Sequence, residues 1–512
     1  MTEQIDKNYS SGTAWAGAIG ALIAFATLNA FAMARAGGGY EYPLDDVYIH
    51  LAVAEQIAAG HYGVNSSEFA SAASSPLYPL LLTPFAGSEL QRLLPLIYNL
   101  ISVAAAGTLF GALVARAGIG AIGVAFAALA PLAFNMYVSA YTGMENMAHG
   151  VASLMIVFGL WLWVEDRRMT WWLILGIFLS PALRPEGLAL SMAAAGVVMI
   201  TGAPRVGIAL MGLGIAPLAA FSSFLVSMGL GPIPNSVTAK LAEGAVGNQG
   251  VIGKLVANLG TYGGNLLGWA TLAVALAALV AALRSTDRAL FGFAIAASSL
   301  AHLMLASIGW MDRYEIYILI SLMATLPLLL MGLSRSLQIA ALGLALAAGI
   351  ATYLPHTIVR HSWNIAAMQL QQKEMGRLAK QSDIGNIAVN DLGHVTWQNP
   401  NYVLDLWGLA SAEALETRLS EQAPDGWARD LTDDKDVSLI MIYDRWFENA
   451  VSPEWTRLGT LTTDVPLAFI GDYEVAFYAS SSADVPKLTS AIMDWQQNLP
   501  ERASFEFSGE VK

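Results

Sequence analysis

Tyr42-Pro43-Leu44-Asp45-Asp46-Val47-Tyr48-Ile49-His50 puts two adjacent carboxylates just beyond a long apolar segment that ends near Ala36. Pro43 fixes its own φ and disfavours helix in the residue before it, so the chain arrives extended. After Asp46 the pattern turns helical: Val47, Leu51, Ala54 and Ala58 share a face, and Gly60 is a natural stop. Both carboxylates therefore sit at a helix N-terminus, where the dipole favours negative charge. In isolation such a pair reads as one N-cap and one solvated side chain. Beside an apolar segment, in a chain poor in charge, it reads as a site.

The chain has 512 residues, 55% hydrophobic and 13% charged. A soluble domain carries about 25% charged residues, so this composition is that of a polytopic membrane protein. The absence of cysteine excludes disulfides, thiolate metal sites and thiol catalysis. The net charge of -13, concentrated in the last third, argues against nucleic acid as a partner. Ala32-Met33-Ala34 resembles a signal-peptide cleavage site. The segment from Thr13 to Ala34 is nonetheless long enough to span, and the charge before it (Asp6, Lys7) is weak and mixed, so it is expected to be a retained span.

Apolar runs predict eleven spans: 13–35, 94–115, 118–138, 146–164, 170–183, 187–202, 206–228, 262–283, 288–308, 314–333 and 336–354. The fifth and sixth are short and read either as one re-entrant hairpin or as two half-buried helices. With alternating spans, Arg167, Arg168, Arg205, Arg284, Arg288 and Arg335 share one side, cytoplasmic by the positive-inside rule, together with the N-terminus. The first loop, 37–93, and the C-terminal third then lie outside, in the periplasm of a bacterial inner membrane. That loop holds the helix after Asp46 and an apolar run from Pro76 to Leu82 that suits an interfacial or re-entrant helix. The expected fold is a polytopic α-helical membrane domain over 1–354, a connector over 355–371, a soluble α/β domain over 372–500 and a flexible tail over 501–512. Strands are expected at Ile387–Val389, Tyr402–Leu404 and Val437–Tyr443, and a hairpin at Leu467–Tyr478 turning at Gly471-Asp472. Ser411–Gln422 reads as a helix with Leu415 and Leu419 inward.

This topology gathers Asp45, Asp46, His50, Glu145, Arg184, Glu186, Lys240 and Arg313 on the outer rim, from five separated stretches. Ionisable groups at span ends are costly and mark function. A carboxylate can accept the proton of an attacking hydroxyl. Arginine and lysine can hold a phosphate leaving group. Together they suggest transfer from a lipid phosphate to a hydroxyl without a nucleotide. Plainer readings stand beside each: an Arg184–Glu186 pair, Glu145 as a cap, Lys240 snorkelling, an Asp312–Arg313 pair, His50 bonded to Asp46. Asp391 and Asp405 end strands and read as turn residues. No cofactor is required by the sequence. Asp45, Asp46 and His50 are the candidate ligands for a divalent cation (Mg²⁺, Mn²⁺ or Ca²⁺), since carboxylate oxygens suit such ions.

An ordered set of motifs resembles the glycosyltransferase C superfamily of polyprenyl-phosphate-sugar-dependent membrane enzymes, within it the mycobacterial-type terminal arabinofuranosyltransferases. The motifs are Leu44-Asp45-Asp46-Val47-Tyr48-Ile49, Ser74-Ser75-Pro76-Leu77-Tyr78, Thr142-Gly143-Met144-Glu145-Asn146, Arg184-Pro185-Glu186-Gly187, Pro234-Asn235-Ser236 with Ala239-Lys240, and Asp312-Arg313-Tyr314. Asn390-Asp391-Leu392-Gly393 and Leu404-Asp405-Leu406-Trp407-Gly408-Leu409 follow in the soluble part. Asn146 and Ser236 stand where threonine is commoner in such enzymes. The resemblance implies a polyprenyl-phosphate sugar donor, inversion at the anomeric carbon, and Asp45 as general base with Asp46 as partner or substitute. It implies donor phosphate or sugar contacts by Arg184, Lys240 and Arg313; His50, a position the family pattern does not anticipate, Glu145, Glu186, Asn235 and Tyr42 are further candidates for donor binding. The acceptor, whether glycan, lipid or protein, is left open. The rival class is a transporter or flippase that binds a lipid-linked sugar without cleaving it; a third is an interaction scaffold.

Overall fold

The computed structural model describes residues 2–243, 251–381, 383–420, 422–466 and 471–509. Six helical segments are long and apolar enough to cross a membrane: Ser11–Arg35, Gln91–Arg116, Asn146–Asp166, Pro204–Ser227, Thr286–Leu305 and Arg335–Ala379. Leu255–Tyr262 and Leu266–Ala282, bent by 95°, make a seventh if the pair is one span. Ala121–Ala133, Trp171–Leu183, Gly187–Ile200 and Ile316–Leu329 are apolar but shorter. Every stretch expected to span thus holds an apolar helix, but among the described residues eleven full crossings are not found. Helices of 13 or 14 residues reach only about 20 Å, against a hydrocarbon core of about 30 Å. Three of the four contain a proline two residues before the end, Pro131, Pro181 and Pro327, where the missing N–H and the ring cut the helix short. The 170–202 stretch forms two short helices joined at Arg184-Pro185-Glu186.

Every residue of Ile316–Leu329 is buried, as a helix apolar on all sides requires. It therefore runs through the middle of the bundle with Arg313 and Tyr314 just ahead of its N-terminus. The first helix, Thr2–Arg35, crosses Leu94–Arg116 at glycines. A Cβ on Gly17 would meet the Gly107 carbonyl oxygen at 2.1 Å, and one on Gly107 would meet that of Gly17 at 2.4 Å. Small residues that let backbones touch are the main source of helix packing in lipid.

The 21 residues of Asn146–Asp166 cover about 31 Å. Glu145, just before its start, pairs with Arg184; near its end Arg288 pairs with Glu165 at 2.6 Å and Arg167 pairs with Asp287. The Arg184 end and the Arg167–Arg288 end are therefore opposite ends of one crossing.

The 355–371 connector is helical, continuing the long helix through a π-turn at Thr357–His361 into Ser362–Leu370. Beyond it lies a six-stranded mixed sheet: β1 (Asn386–Val389), β2 (Val403–Asp405), β3 (Val437–Ile442), β4 (Thr456–Thr463), β5 (Glu474–Ala479) and β6 (Ala503–Phe507). The order is β2-β1-β3-β5-β4-β6. β2, β1 and β3 are parallel, and the other neighbours are antiparallel. Within the expected tail, residues Ala503–Phe507 instead form edge strand β6, paired with β4 along five residues; Phe505 packs against Phe477, and Phe507 against Phe505. Residues 467–470 of the expected hairpin lie outside the described residues. Leu415 is buried as expected, but Leu419, at the last turn of Ala412–Leu419, is 40% exposed.

Candidate active site

A chamber of about 370 Å³ opens between the first loop and the sheet domain. The first loop supplies Asp45, Asp46 and His50; the sheet domain supplies Asp391, Trp407 and Trp446. Asp45 immediately precedes the Asp46–Ala58 helix. Its Oδ2 accepts the Gly393 amide at 2.6 Å and its Oδ1 accepts the His394 amide at 2.8 Å. These are orphan N–H groups at the start of the Gly393–Thr396 turn of helix, which need an outside acceptor. Position 393 requires glycine, since a Cβ there would lie 2.1 Å from the Asp45 carbonyl oxygen. A carboxylate offers about four lone-pair sites, so two amides fix Asp45 and leave it able to take a proton. Burial, and next the Asp391 carboxylate, push Asp45 from 3.8 up to about 8, with the two amides pulling the other way. Asp391 is itself raised, mainly by burial. Its Oδ2 accepts the Tyr443 hydroxyl at 2.5 Å and the Gln372 amide at 3.1 Å.

Arg313 is fully buried and its Nη2 lies 2.5 Å from Asp46 Oδ2. The Asp312–Arg313 pair considered from sequence is not what forms. Gly309, Trp310, Met311 and Asp312 are consecutive left-handed residues (φ 89°, 47°, 67° and 52°), and this reversed turn sends Asp312 toward His356, 3.9 Å away, and Arg313 toward Asp46. Arg184 holds Glu145 at 2.8 Å and Glu186 at 2.9 Å. Glu145 makes no side-chain cap bond; it serves as an ion-pair partner. The guanidinium groups of Arg184 and Arg313 stand 5.2 and 4.9 Å from the Tyr314 ring. Buried Nε of Arg184, and Nε and Nη1 of Arg313, have no hydrogen-bond partner among the described residues. Buried donors left this way call for an acceptor.

A second cavity of about 430 Å³ is lined by Arg184 and Glu186 and otherwise largely by apolar side chains such as Leu188, Met192 and Leu305. It shares Ser74, Ser307 and Tyr314 with the first. An acidic chamber and an arginine-lined apolar one thus meet at a common wall.

The sequence candidates divide. Asp45, Asp46 and His50 line the acidic chamber, Arg184 and Glu186 the apolar one, with Arg313 and Glu145 buried behind them. His50 packs edge-on to Tyr78 at 5.6 Å. Asn235 lines neither cavity; its backbone N–H donates to Ser71 Oγ at 3.0 Å, while the following Ser236 and Ala239 face the chamber. The Lys240 side chain lies outside the described residues. Tyr42 is structural: fully buried, its hydroxyl donates to the Arg92 carbonyl at 2.7 Å. Arg92 in turn pairs with buried Glu41 at 2.7 Å. Asp405 is the expected turn residue, accepting the Trp407 and Ala410 amides at 2.9 and 2.7 Å. Asp391 is more than that, since it lines the chamber. It, Trp407 and Trp446 all follow the carboxyl ends of the parallel strands β1, β2 and β3, where open α/β sheets bind ligands; that pattern is the signal that identifies them. Among the described residues no group of three or more histidines and carboxylates is arranged to hold a metal ion.

Residues 363–478 match a family model described as Domain of unknown function (DUF8728). Among solved structures, the chain is similar to ArnT from Cupriavidus metallidurans, whose crystal structure is bound to undecaprenyl phosphate. The two share 11% sequence identity, the match covers 90% of this chain and 98% of that chain, and the TM-score is 0.49. No curated protein matches.

Proposed function

We propose that this protein is a membrane glycosyltransferase that moves a single sugar from a polyprenyl-phosphate donor to an acceptor hydroxyl. The observation that carries the reading is the Arg313–Asp46 pair of 2.5 Å, joining side chains from distant parts of the chain at the border of an acidic and an arginine-lined cavity. The donor phosphate goes to the guanidinium side, where buried N–H groups stand ready for an anion. Its isoprenoid lies along the apolar cavity, and its sugar reaches the shared wall at Tyr314.

The acceptor oxygen attacks the anomeric carbon, Asp45 or its neighbour Asp46 takes the hydroxyl proton, and the carbon–oxygen bond to phosphate breaks from the opposite face with inversion. Polyprenyl phosphate leaves with the electron pair, stabilised by arginine. Arabinofuranose is the sugar the sequence motifs favour. The chamber faces away from the Arg167–Arg288 end, which the positive-inside rule makes cytoplasmic. This supports the reading that transfer, and the sheet domain, lie on the periplasmic side of the inner membrane.

Asp45→Asn and Asp46→Asn, assayed in membranes with a polyprenyl-phosphate arabinofuranose donor, should each lower turnover by about 10²–10⁴ with the protein still folded. Full activity in both would refute the assignment. A lipid-linked sugar that changes leaflet and stays bonded to its phosphate would instead identify a flippase.

A further inference from the structure

We propose that Trp446, Trp407 and Trp310 form a saccharide subsite that holds a sugar ring of the acceptor at the mouth of the acidic chamber. The inference rests on the transfer reading above and names a substrate class for the side of the site left open by it. All three tryptophans line the chamber. Trp446 and Trp310 are each 42% exposed, so part of each ring is open to a ligand in the chamber.

Their placement is built. Trp407 follows β2; its amide is held by Asp405, and Arg418 stacks on its ring at 3.8 Å while donating Nε to its carbonyl at 3.0 Å. Trp446 follows β3 and stands 5.3 Å from Trp407. A Cβ at Gly471 would meet the Trp446 ring at 2.7 Å, so the missing side chain there is what lets the ring lie as it does. Trp310 comes from the membrane domain, inside the left-handed turn Gly309–Asp312. Non-glycine residues in that conformation cost of order 1 kcal/mol each and persist at functional sites.

Asp45, Asp46 and Asp391 around this chamber offer carboxyl groups that exchange hydrogen bonds with the hydroxyls of a neutral polyol. Flat aromatic faces suit the C–H face of a sugar ring. The donor enters from the arginine-lined cavity, so the tryptophan side remains for the acceptor. A volume of about 370 Å³ falls in the usual range for small-ligand sites, about 300–1,000 Å³.

The test is saturation-transfer NMR on the full-length protein in detergent, without donor, using arabinofuranosyl, mannosyl and galactosyl hexasaccharides as probes. At least one should bind, with affinity at least fivefold weaker in Trp446→Ala and Trp310→Ala and largely kept in Trp446→Phe. Failure of all three to bind, or equal binding by every variant, overturns the subsite. So does quenching of Trp446 and Trp310 fluorescence by brominated lipid in nanodiscs, which would make them membrane anchors. Because no donor is present, binding without any transfer in the full assay would strike the proposed reaction alone. Transfer with an unchanged acceptor KM in Trp446→Ala would strike the subsite alone.

Discussion

Asp45 is held between opposing influences. Burial and the Asp391 charge disfavour its ionised form, and the Gly393 and His394 amides favour it. A base raised to about 8 is a stronger proton acceptor once ionised, and its ionised fraction grows with pH. Transfer rate is therefore expected to climb from pH 6 to about 8 and then level; a profile flat across that window would remove Asp45 from the base role. Stability runs the other way. The folded state binds this proton more tightly than the unfolded one, so the contribution is complete below about 4 and is lost as pH rises toward 8. Thermal unfolding in detergent should show a midpoint that falls over that window, and Asp391→Asn, which removes the neighbouring charge, should flatten the slope. The sequence singled out Asp45, Asp46 and Arg313 as candidates because charge beside an apolar span is costly. It did not show the clamp, because backbone amides leave no residue type to read.

At the scale of single helices, each stretch expected to span holds an apolar helix, since the burial that makes a helix apolar writes itself into composition, but the helix Leu255–Tyr262 of the bent pair fell mostly in what read as an outer loop. Length was the weaker reading. Pro131, Pro181 and Pro327 end their helices early, whereas Pro217 lies inside Pro204–Ser227, which continues past it; proline alone does not say which. Strands β1, β2 and β3 were legible as short β-branched runs. β4 (Thr456–Thr463) was not, because its polar threonines mask the alternation. The glycine crossing gives a direct test. Gly17→Leu or Gly107→Leu must force the two backbones apart, at about 1–3 kcal/mol for overpacking, and should lower the unfolding midpoint. Gly212→Ala, where a Cβ meets nothing within 4 Å, should leave it unchanged or raise it. Equal behaviour of the three variants would show that the first helix does not dock as described.

For the whole molecule, the membrane bundle and the sheet domain share one site, since the chamber walls come from both. Gly393→Ala puts a methyl within 2.1 Å of the Asp45 carbonyl oxygen and 2.7 Å of its Oδ2, so the seam must open. Turnover should drop by about 10²-fold, as for losing the base, while limited proteolysis still finds an intact sheet domain. If Gly393→Ala turns over like the unaltered protein, the seam is incidental. The joint between residues 45 and 393 also sets an order of events during biosynthesis. The ribosome makes Asp45 348 residues before the Gly393 amide that grips it. Under the proposed transfer reaction, a chain that has inserted its first helices but not yet folded the sheet domain against the first loop would be idle.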